Sequence, residues 1–132
     1  MLKELNELDG NWDIIDVRFD FRAQAVTWQF GIDSNNRWLL GNRRITITCA
    51  HVLSFRHVMA DDAMPPWQLD NVTVEEVPAN VYISELESQG LKCPEPSLIE
   101  RWSPFYRLSL QAWEFSATVL CRNVAVGDSK SP

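Results

Sequence analysis

The chain has 132 residues, 45% of them hydrophobic, with 18 acidic and 12 basic side chains and a formal net charge of −6. Folding a chain of this length hides roughly two-thirds of its unfolded surface, which suffices for one core and excludes extensive disorder. The acidic balance, with no basic cluster longer than Arg43–Arg44, argues against binding nucleic acid through its phosphates. We expect one domain over residues 1–126 and a disordered polar tail over residues 127–132.

The N-terminal part of the chain predicts a short helix and then a β-hairpin. Leu2, Leu5 and Leu8 recur every three residues, which is typical of one face of a short helix. From Trp12 onward apolar and charged side chains alternate, the pattern of a half-buried strand, and the alternation returns over residues 26–32. We expect these two strands to pair antiparallel.

The middle of the chain predicts a third strand, a loop, an edge strand and a helical segment. Alternation over residues 45–49 blurs after Ala50, as it does at a β-bulge. The prolines within residues 59–70 predict a loop, because proline fits neither a helix interior nor a central strand. A short edge strand follows over residues 72–78. One or two helical turns are expected around residues 81–90, with irregular chain up to Pro104.

The last third of the chain predicts a second hairpin, because alternation is clear again over residues 106–110 and 113–121. Short turns join the predicted strands, and no long amphipathic helix separates them. The sequence therefore predicts a mainly β fold, an antiparallel β-sandwich or partly open barrel. The side chains expected to face its core are Ile15, Val17, Phe19, Val26, Trp28, Phe30, Ile45, Ile47, Leu108, Leu110, Trp113, Phe115, Ala117 and Val119.

Reactive side chains form no catalytic or metal-binding motif. Cys49 and His51 lie two residues apart, but the spacing matches no four-ligand metal site. On a regular strand their side chains would stand some 6 to 7 Å apart, too far for direct proton transfer. The three cysteines cannot all pair within the chain, so reduced thiols are expected. We predict no catalytic residue, no metal and no cofactor.

Tryptophans in or beside loops are the candidate contact residues. Three of the six tryptophans fall there, and acidic residues lie close to one of them. A mixed acidic and aromatic patch suits the recognition of a basic protein, because charge steers the encounter and large rings supply contact area. The alternative is that these rings plug the open ends of the fold. The candidate protein-binding residues are Trp38, Asp61, Asp62, Trp67, Asp70 and Trp102.

The strand layout resembles a known group of proteins. The residues that carry the resemblance are Ile14–Asp20, Ala25–Phe30, Arg44–Cys49, Tyr106–Leu110 and Ala117–Cys121. In this layout the chain is similar to the small β-rich bacterial proteins grouped with the immunity proteins of polymorphic toxin systems. The resemblance implies a noncatalytic antiparallel fold that binds a protein, and it transfers no individual site residue.

These observations predict a noncatalytic protein-binding module, with a basic toxin domain as a candidate partner. The N-terminus lacks a signal-peptide core and no run of 18 apolar residues occurs, so a cytoplasmic location without membrane contact is expected. One alternative is a small-molecule carrier or enzyme with a cavity. A structural homodimer is another. The expected cavity lining is Trp28, Trp113, Tyr106, His51 and Cys49.

Overall fold

The described residues form six β-strands and two short helices, and Leu5 near the N-terminus is also helical. The structure, a computed structural model, describes residues 5, 8, 12–32, 43–60, 64–92 and 95–130. None of the helices in these ranges is long and apolar enough to cross a bilayer. The elements are β1 (Trp12–Asp20), β2 (Ala25–Ile32), β3 (Arg43–Met59), β4 (Trp67–Val77), α1 (Ala79–Ser88), α2 (Pro96–Arg101), β5 (Phe105–Ala112) and β6 (Phe115–Lys130).

The strands form one antiparallel sheet that closes into a barrel in the order β1-β2-β3-β6-β5-β4. The predicted mainly β, antiparallel fold is therefore confirmed, and both predicted hairpins are present. Closure between β1 and β4 is short: Asp13 lies opposite Gln68 and Ile14 opposite Trp67. β3 and β6 are the long strands, and they pair along nearly their whole length.

The barrel interior is filled by side chains from alternate strand positions, as the two-residue period predicts. Burying each large side chain contributes roughly 1.5 to 3 kcal/mol before chain entropy is subtracted. Leu5, which is helical, and Leu8 are also buried against this core, and the other residues of the predicted N-terminal helix lie outside the described ranges. The predicted core positions that are buried are Val26, Trp28, Phe30, Ile45, Ile47, Leu108, Leu110, Phe115, Ala117 and Val119.

The core register predicted for β1 is wrong at the start of the strand, where Ile15 was expected to face the core. Trp12 and Ile14 are the buried residues, and the pairing with β2 then shifts by one residue between Ile14 and Asp16. This bulge returns Val17 to the inner side, where it is half-buried, and Phe19 follows at the barrel mouth with 40% of its surface exposed.

Trp113 was also expected in the core, and it is 68% exposed. Ala112 pairs with Phe115, which leaves Trp113 and Glu114 as the two-residue turn between β5 and β6. The alternation therefore resumes at Phe115 rather than at Trp113.

Two helices cover the outer face of the barrel. The helical segment predicted around residues 81–90 is present as α1, whereas α2 replaces chain that was expected to be irregular. Pro96 occupies the start of α2, where proline is favoured because the N–H there has no helical partner. A second core, distinct from the barrel interior, consists of Val77, Tyr82, Ile99, Phe105 and Leu120.

Two strand boundaries differ from the sequence prediction. β4 begins at Trp67, inside the stretch expected to be a loop. β6 continues to Lys130, because Gly127, Asp128, Ser129 and Lys130 lie opposite residues 43–46 of β3. Residues 127–130 are therefore paired strand rather than disordered tail, and residues 131–132 lie outside the described ranges.

Candidate functional site

A cleft lined by aromatic rings opens at one end of the barrel. Its walls are Phe19 and Phe21 on one side and Phe55, His57 and Met59 on the other. We call these five residues the aromatic cleft. A cavity of about 420 Å³ lies above Phe19, Phe21 and Phe55, and a smaller one of about 140 Å³ continues to a floor made by Val17, Trp67 and Phe115.

The β1–β2 hairpin supplies the first wall. The β1 bulge turns Phe19 inward, and Phe21 begins the turn that follows. The Asp20 carboxylate accepts hydrogen bonds from the main-chain N–H groups of Arg22 (3.0 Å) and Ala23 (3.2 Å), which fixes the turn. Phe21 is 85% exposed and touches Phe19, with ring centroids 4.6 Å apart.

A bend in β3 supplies the second wall. His51 adopts a positive φ of 53°, and the pairing with β6 shifts between Val52 and Ser54. The main-chain N–H of Val52 donates to the Gln24 carbonyl at 2.8 Å, which joins the bend to the tip of the β1–β2 hairpin. Bulges bend strands and increase their twist. This bend brings residues 53–59 over the barrel mouth.

Ring contacts link the two walls to the floor. The centroids of Phe19 and Phe55 are 5.8 Å apart, and Phe55 stacks on the buried Trp28 at the same distance. His57 packs edge-on against Phe55 at 5.4 Å and stacks on Phe115 at 6.3 Å. Offset and edge-to-face pairs at these distances are favourable. The rings therefore support one another before any partner binds.

The outer side of the bent strand is held by α1 through one carboxylate. The Ser54 hydroxyl donates to Glu85 Oε1 at 3.0 Å, and the Arg56 guanidinium contacts the same oxygen at 2.6 Å. Ser54 and Arg56 alternate with Phe55 and His57, so one face of the strand contacts the helix while the other lines the cleft.

The cleft itself contains little charge. Arg18 pairs with Asp16 at 2.9 Å on the exposed side of β1, and no charged side chain is buried among the described residues. Two buried donors, the indole N–H groups of Trp28 and Trp67, find no acceptor in the described part of the chain. The arrangement suits contact with apolar groups rather than acid–base chemistry.

Of the six residues predicted to bind a protein, the three that the structure describes, Trp67, Asp70 and Trp102, do not meet at one place. Trp38, Asp61 and Asp62 lie outside the described residues. Asp70 is exposed on β4. Trp67 is buried and forms part of the cleft floor, where its ring stacks on that of Phe115.

Trp102, the last of the predicted set, is partly buried and packs against the second core. Its ring packs against Tyr82 with centroids 6.3 Å apart, and its carbonyl accepts a hydrogen bond from Arg122 Nε at 2.8 Å. It follows α2, at the end of β4 away from Trp67.

Cys49 and His51 do not form a site together. Cys49 is fully buried, whereas the positive φ at His51 leaves that side chain exposed. Across the described ranges, no group of three or more His, Cys, Asp or Glu side chains could hold a metal. Cys49 instead forms a hydrogen bond with the buried, free Cys121; this bond and then burial raise the pKa of the Cys49 thiol.

The residues predicted to line a cavity are also dispersed. Trp28 is buried beneath Phe55, Trp113 is exposed at a turn, and Tyr106 is half-buried on β5. The aromatic cleft contains phenylalanines instead, and the sequence prediction placed one of these, Phe19, in the core. The available signal was the pair Phe19 and Phe21 directly before a polar turn, where few strand neighbours can cover both rings.

Comparison with protein-family models and with curated proteins finds no match to this chain.

Proposed function

We propose that the chain is a noncatalytic protein-binding module whose contact surface is the aromatic cleft. The supporting observation is the exposure of stacked rings at the barrel mouth, where Phe21 protrudes and Phe19 is partly open. Exposed, contiguous apolar surface is uncommon on monomers and marks interaction sites. Aromatic rings fixed by their neighbours also bind with a small loss of side-chain entropy.

Net charge supports a basic partner. The chain carries a formal charge of −6, and Asp70 and Glu75 are exposed on β4. Charge of this sign accelerates the approach of a positively charged protein, while the apolar cleft supplies affinity once contact is made. The finer form of the proposal is a cytoplasmic, immunity-type protein that neutralises a basic toxin domain.

A photoreactive side chain tests the contact surface. Benzoylphenylalanine replaces Phe21, and in a matched variant it replaces Trp113, which is also exposed but lies at the β5–β6 turn. We expect one protein to be cross-linked in cells from position 21 and not from position 113. The identified protein must then bind the purified chain, and Phe21→Ser must weaken that binding about tenfold or more. Equal yields from both positions, or binding unaffected by Phe21→Ser, contradict the proposal.

Co-expression tests the proposed immunity-type role, in which the chain neutralises a toxin. The protein encoded by the adjacent reading frame is expressed alone, with the wild-type chain, and with the Phe21→Asp variant. We expect the neighbour to arrest growth, the wild-type chain to restore growth, and the variant to restore it poorly. A harmless neighbour, or one that the wild-type chain does not neutralise, contradicts the immunity-type role and leaves protein binding to be judged by the cross-link.

A second candidate function is the binding of a small apolar molecule. The cavity of about 420 Å³ falls in the size range of ligand pockets, which are largely lined by apolar and aromatic side chains. Titration with a fluorescent apolar probe separates the two functions. Saturable binding that Phe55→Ser removes, without any cross-linked protein, favours the small molecule.

A further inference from the structure

On the side of β3 that faces away from β6, some main-chain N–H and C=O groups have no partner strand among the described residues. The N–H of Ala60 donates to the Glu114 carbonyl at 2.9 Å, so Ala60 and Glu114 form a hydrogen-bonded pair. In an antiparallel ladder such pairs recur at every second residue. With the register of β3 on β6, the hydrogen-bonded residues of this segment are then Ser54, Arg56 and Val58.

The intervening residues, Phe55, His57 and Met59, therefore direct their N–H and C=O groups away from β6. No described strand pairs with them on that side. Their side chains are also the second wall of the aromatic cleft. The same three residues therefore supply both the unpaired main-chain groups and one wall of the aromatic cleft.

Residues 53–59 of this edge, which follow the β3 bulge, carry few of the side chains that protect edge strands. Natural edges are commonly blocked by lysine, proline or inward-pointing charge. Within residues 53–59, Arg56 is the one side chain from Asp, Glu, Lys or Arg, and it is held on the outer face by Glu85. The contact with α1 also fixes the strand, so the edge is ordered before a partner arrives.

We propose that the partner presents an extended segment, which adds to β3 as a further strand and places apolar side chains from alternate positions into the aromatic cleft. This inference rests on the proposed protein-binding function and specifies how it is performed. Strand addition of this kind takes affinity from main-chain hydrogen bonds and specificity from side-chain pockets.

The surroundings of the edge favour a single extended chain over a second copy of the protein. The β1–β2 hairpin stands beside the edge, joined to it by the Val52–Gln24 hydrogen bond and by the Phe19–Phe55 contact. A second copy would bring its own hairpin to the same place. An unfolded segment meets no such obstacle.

Amide hydrogen exchange, read residue by residue by NMR on the full chain, tests the edge. In the free protein, the amides of Phe55, His57 and Met59 should exchange faster than those of Arg56 and Val58. The probe is a ten-residue peptide with Leu or Val at alternate positions, Thr between them and Lys at both ends. We expect it to slow exchange at residues 55, 57 and 59 at least tenfold. Unchanged exchange at saturating peptide overturns the proposal.

A proline substitution provides the matched variant. His57→Pro removes an N–H that bonds nothing on β6, so the barrel should remain folded, whereas His57→Ala removes the same side chain and keeps the N–H. We expect His57→Pro to weaken binding of the peptide, and of the protein cross-linked from position 21, about tenfold relative to His57→Ala. Equal affinities of the two variants overturn the proposal.

The outcomes of these experiments distinguish failure of strand addition from failure of the proposed protein-binding function. If the cross-linked protein binds but leaves exchange at residues 55, 57 and 59 unchanged, protein binding stands and strand addition is wrong. If neither protein nor peptide binds, both fail. If these amides become protected as the concentration of the chain alone is raised, a second copy occupies the edge and the proposed occupant is wrong.

Discussion

The indole ring of Trp67 stacks on the ring of Phe115, with centroids 4.3 Å apart and 10° between the ring planes. Trp67 begins β4 and lies opposite Ile14, in the short pairing that closes the barrel, and Phe115 begins β6. The stack therefore ties the barrel closure to the longest strand pair and forms the cleft floor. The ring of Trp67, which was expected from the sequence to contact a partner, lies beneath the proposed contact surface and supports it.

Replacing Trp67 with alanine should destabilise the protein by about 3 to 5 kcal/mol, because the substitution leaves a cavity and removes the stack on Phe115. Trp113→Ala is the matched control, since Trp113 is exposed and its loss should change stability by no more than about 0.5 kcal/mol. Urea denaturation followed by circular dichroism measures both. A similar loss for the two variants would show that Trp67 does not support the closure.

Aspartate substitutions at a core phenylalanine and at a cleft phenylalanine should differ in how much they destabilise the protein. Phe30→Asp puts a carboxylate at a fully buried position and should unfold the chain, with a cost above about 4 kcal/mol. Phe19→Asp should cost no more than about 2 kcal/mol, because Phe19 is partly exposed at the barrel mouth. Thermal melts of both variants provide the measurement. If Phe19→Asp also fails to fold, Phe19 contributes to the core as much as Phe30 does, and its place at the cleft wall is wrong.

Alternation predicts β2 and the first part of β3 because regular strands repeat every two residues whichever strands they pair with. Alternation fails at the start of β1, and the reason lies in a residue of the adjacent strand β2. A Cβ on Gly31 would lie 2.3 Å from Ile15 Cδ1, so the side chain at the bulge occupies space that glycine leaves free on the adjacent strand. This relationship depends on the β1–β2 register, which periodicity within one strand does not contain.

The candidate site is less predictable than the core for the same reason. Phe21 and Phe55 are separated by more than thirty residues and meet through Phe19 because a hairpin tip and a bulged strand converge. The sequence indicates each irregularity, the polar turn and the blurred alternation after Ala50. It does not indicate that the two face each other. Of the loop tryptophans selected from the sequence, the two that the structure describes, Trp67 and Trp102, are used for packing.

Glycine at residue 24 should stabilise the β1–β2 hairpin. Gln24 adopts a φ of 49°, a conformation that costs a side-chain-bearing residue roughly 1 to 2 kcal/mol and glycine almost nothing. After the entropy cost of glycine is subtracted, Gln24→Gly should gain about 0.5 kcal/mol. Gln29→Gly, in the middle of β2, should lose about 0.5 to 1 kcal/mol. Urea midpoints that fall for both variants would contradict relief of backbone strain at residue 24.

The buried thiol pair should make stability depend on alkaline pH. The pKa of Cys49 is raised in the folded protein by its hydrogen bond with Cys121 and by burial. The unfolded chain therefore releases the thiol proton first, as the pH passes the ordinary thiol pKa of about 8.5. The part of the stability that Cys49 contributes is fully present below that pH, and above it this part should fall by about 1.4 kcal/mol for each pH unit. The same hydrogen bond lowers the pKa of the Cys121 thiol, so the contribution of Cys121 is gained as the pH rises and is complete above that pH.

Urea denaturation at pH 7, 8, 9 and 10 measures this loss, with the Cys49→Ala/Cys121→Ala double variant as the comparison, because Cys49→Ala alone would also remove the hydrogen bond that lowers the pKa of Cys121. The variant has lower stability at every pH, because it loses buried volume, so the quantity compared is the slope against pH and not the level. Lysine and tyrosine side chains titrate equally in both proteins and cancel in the difference between slopes. Identical slopes for the two proteins would contradict the prediction, because they would mean that the pKa of Cys49 is no higher in the folded protein than in the unfolded chain.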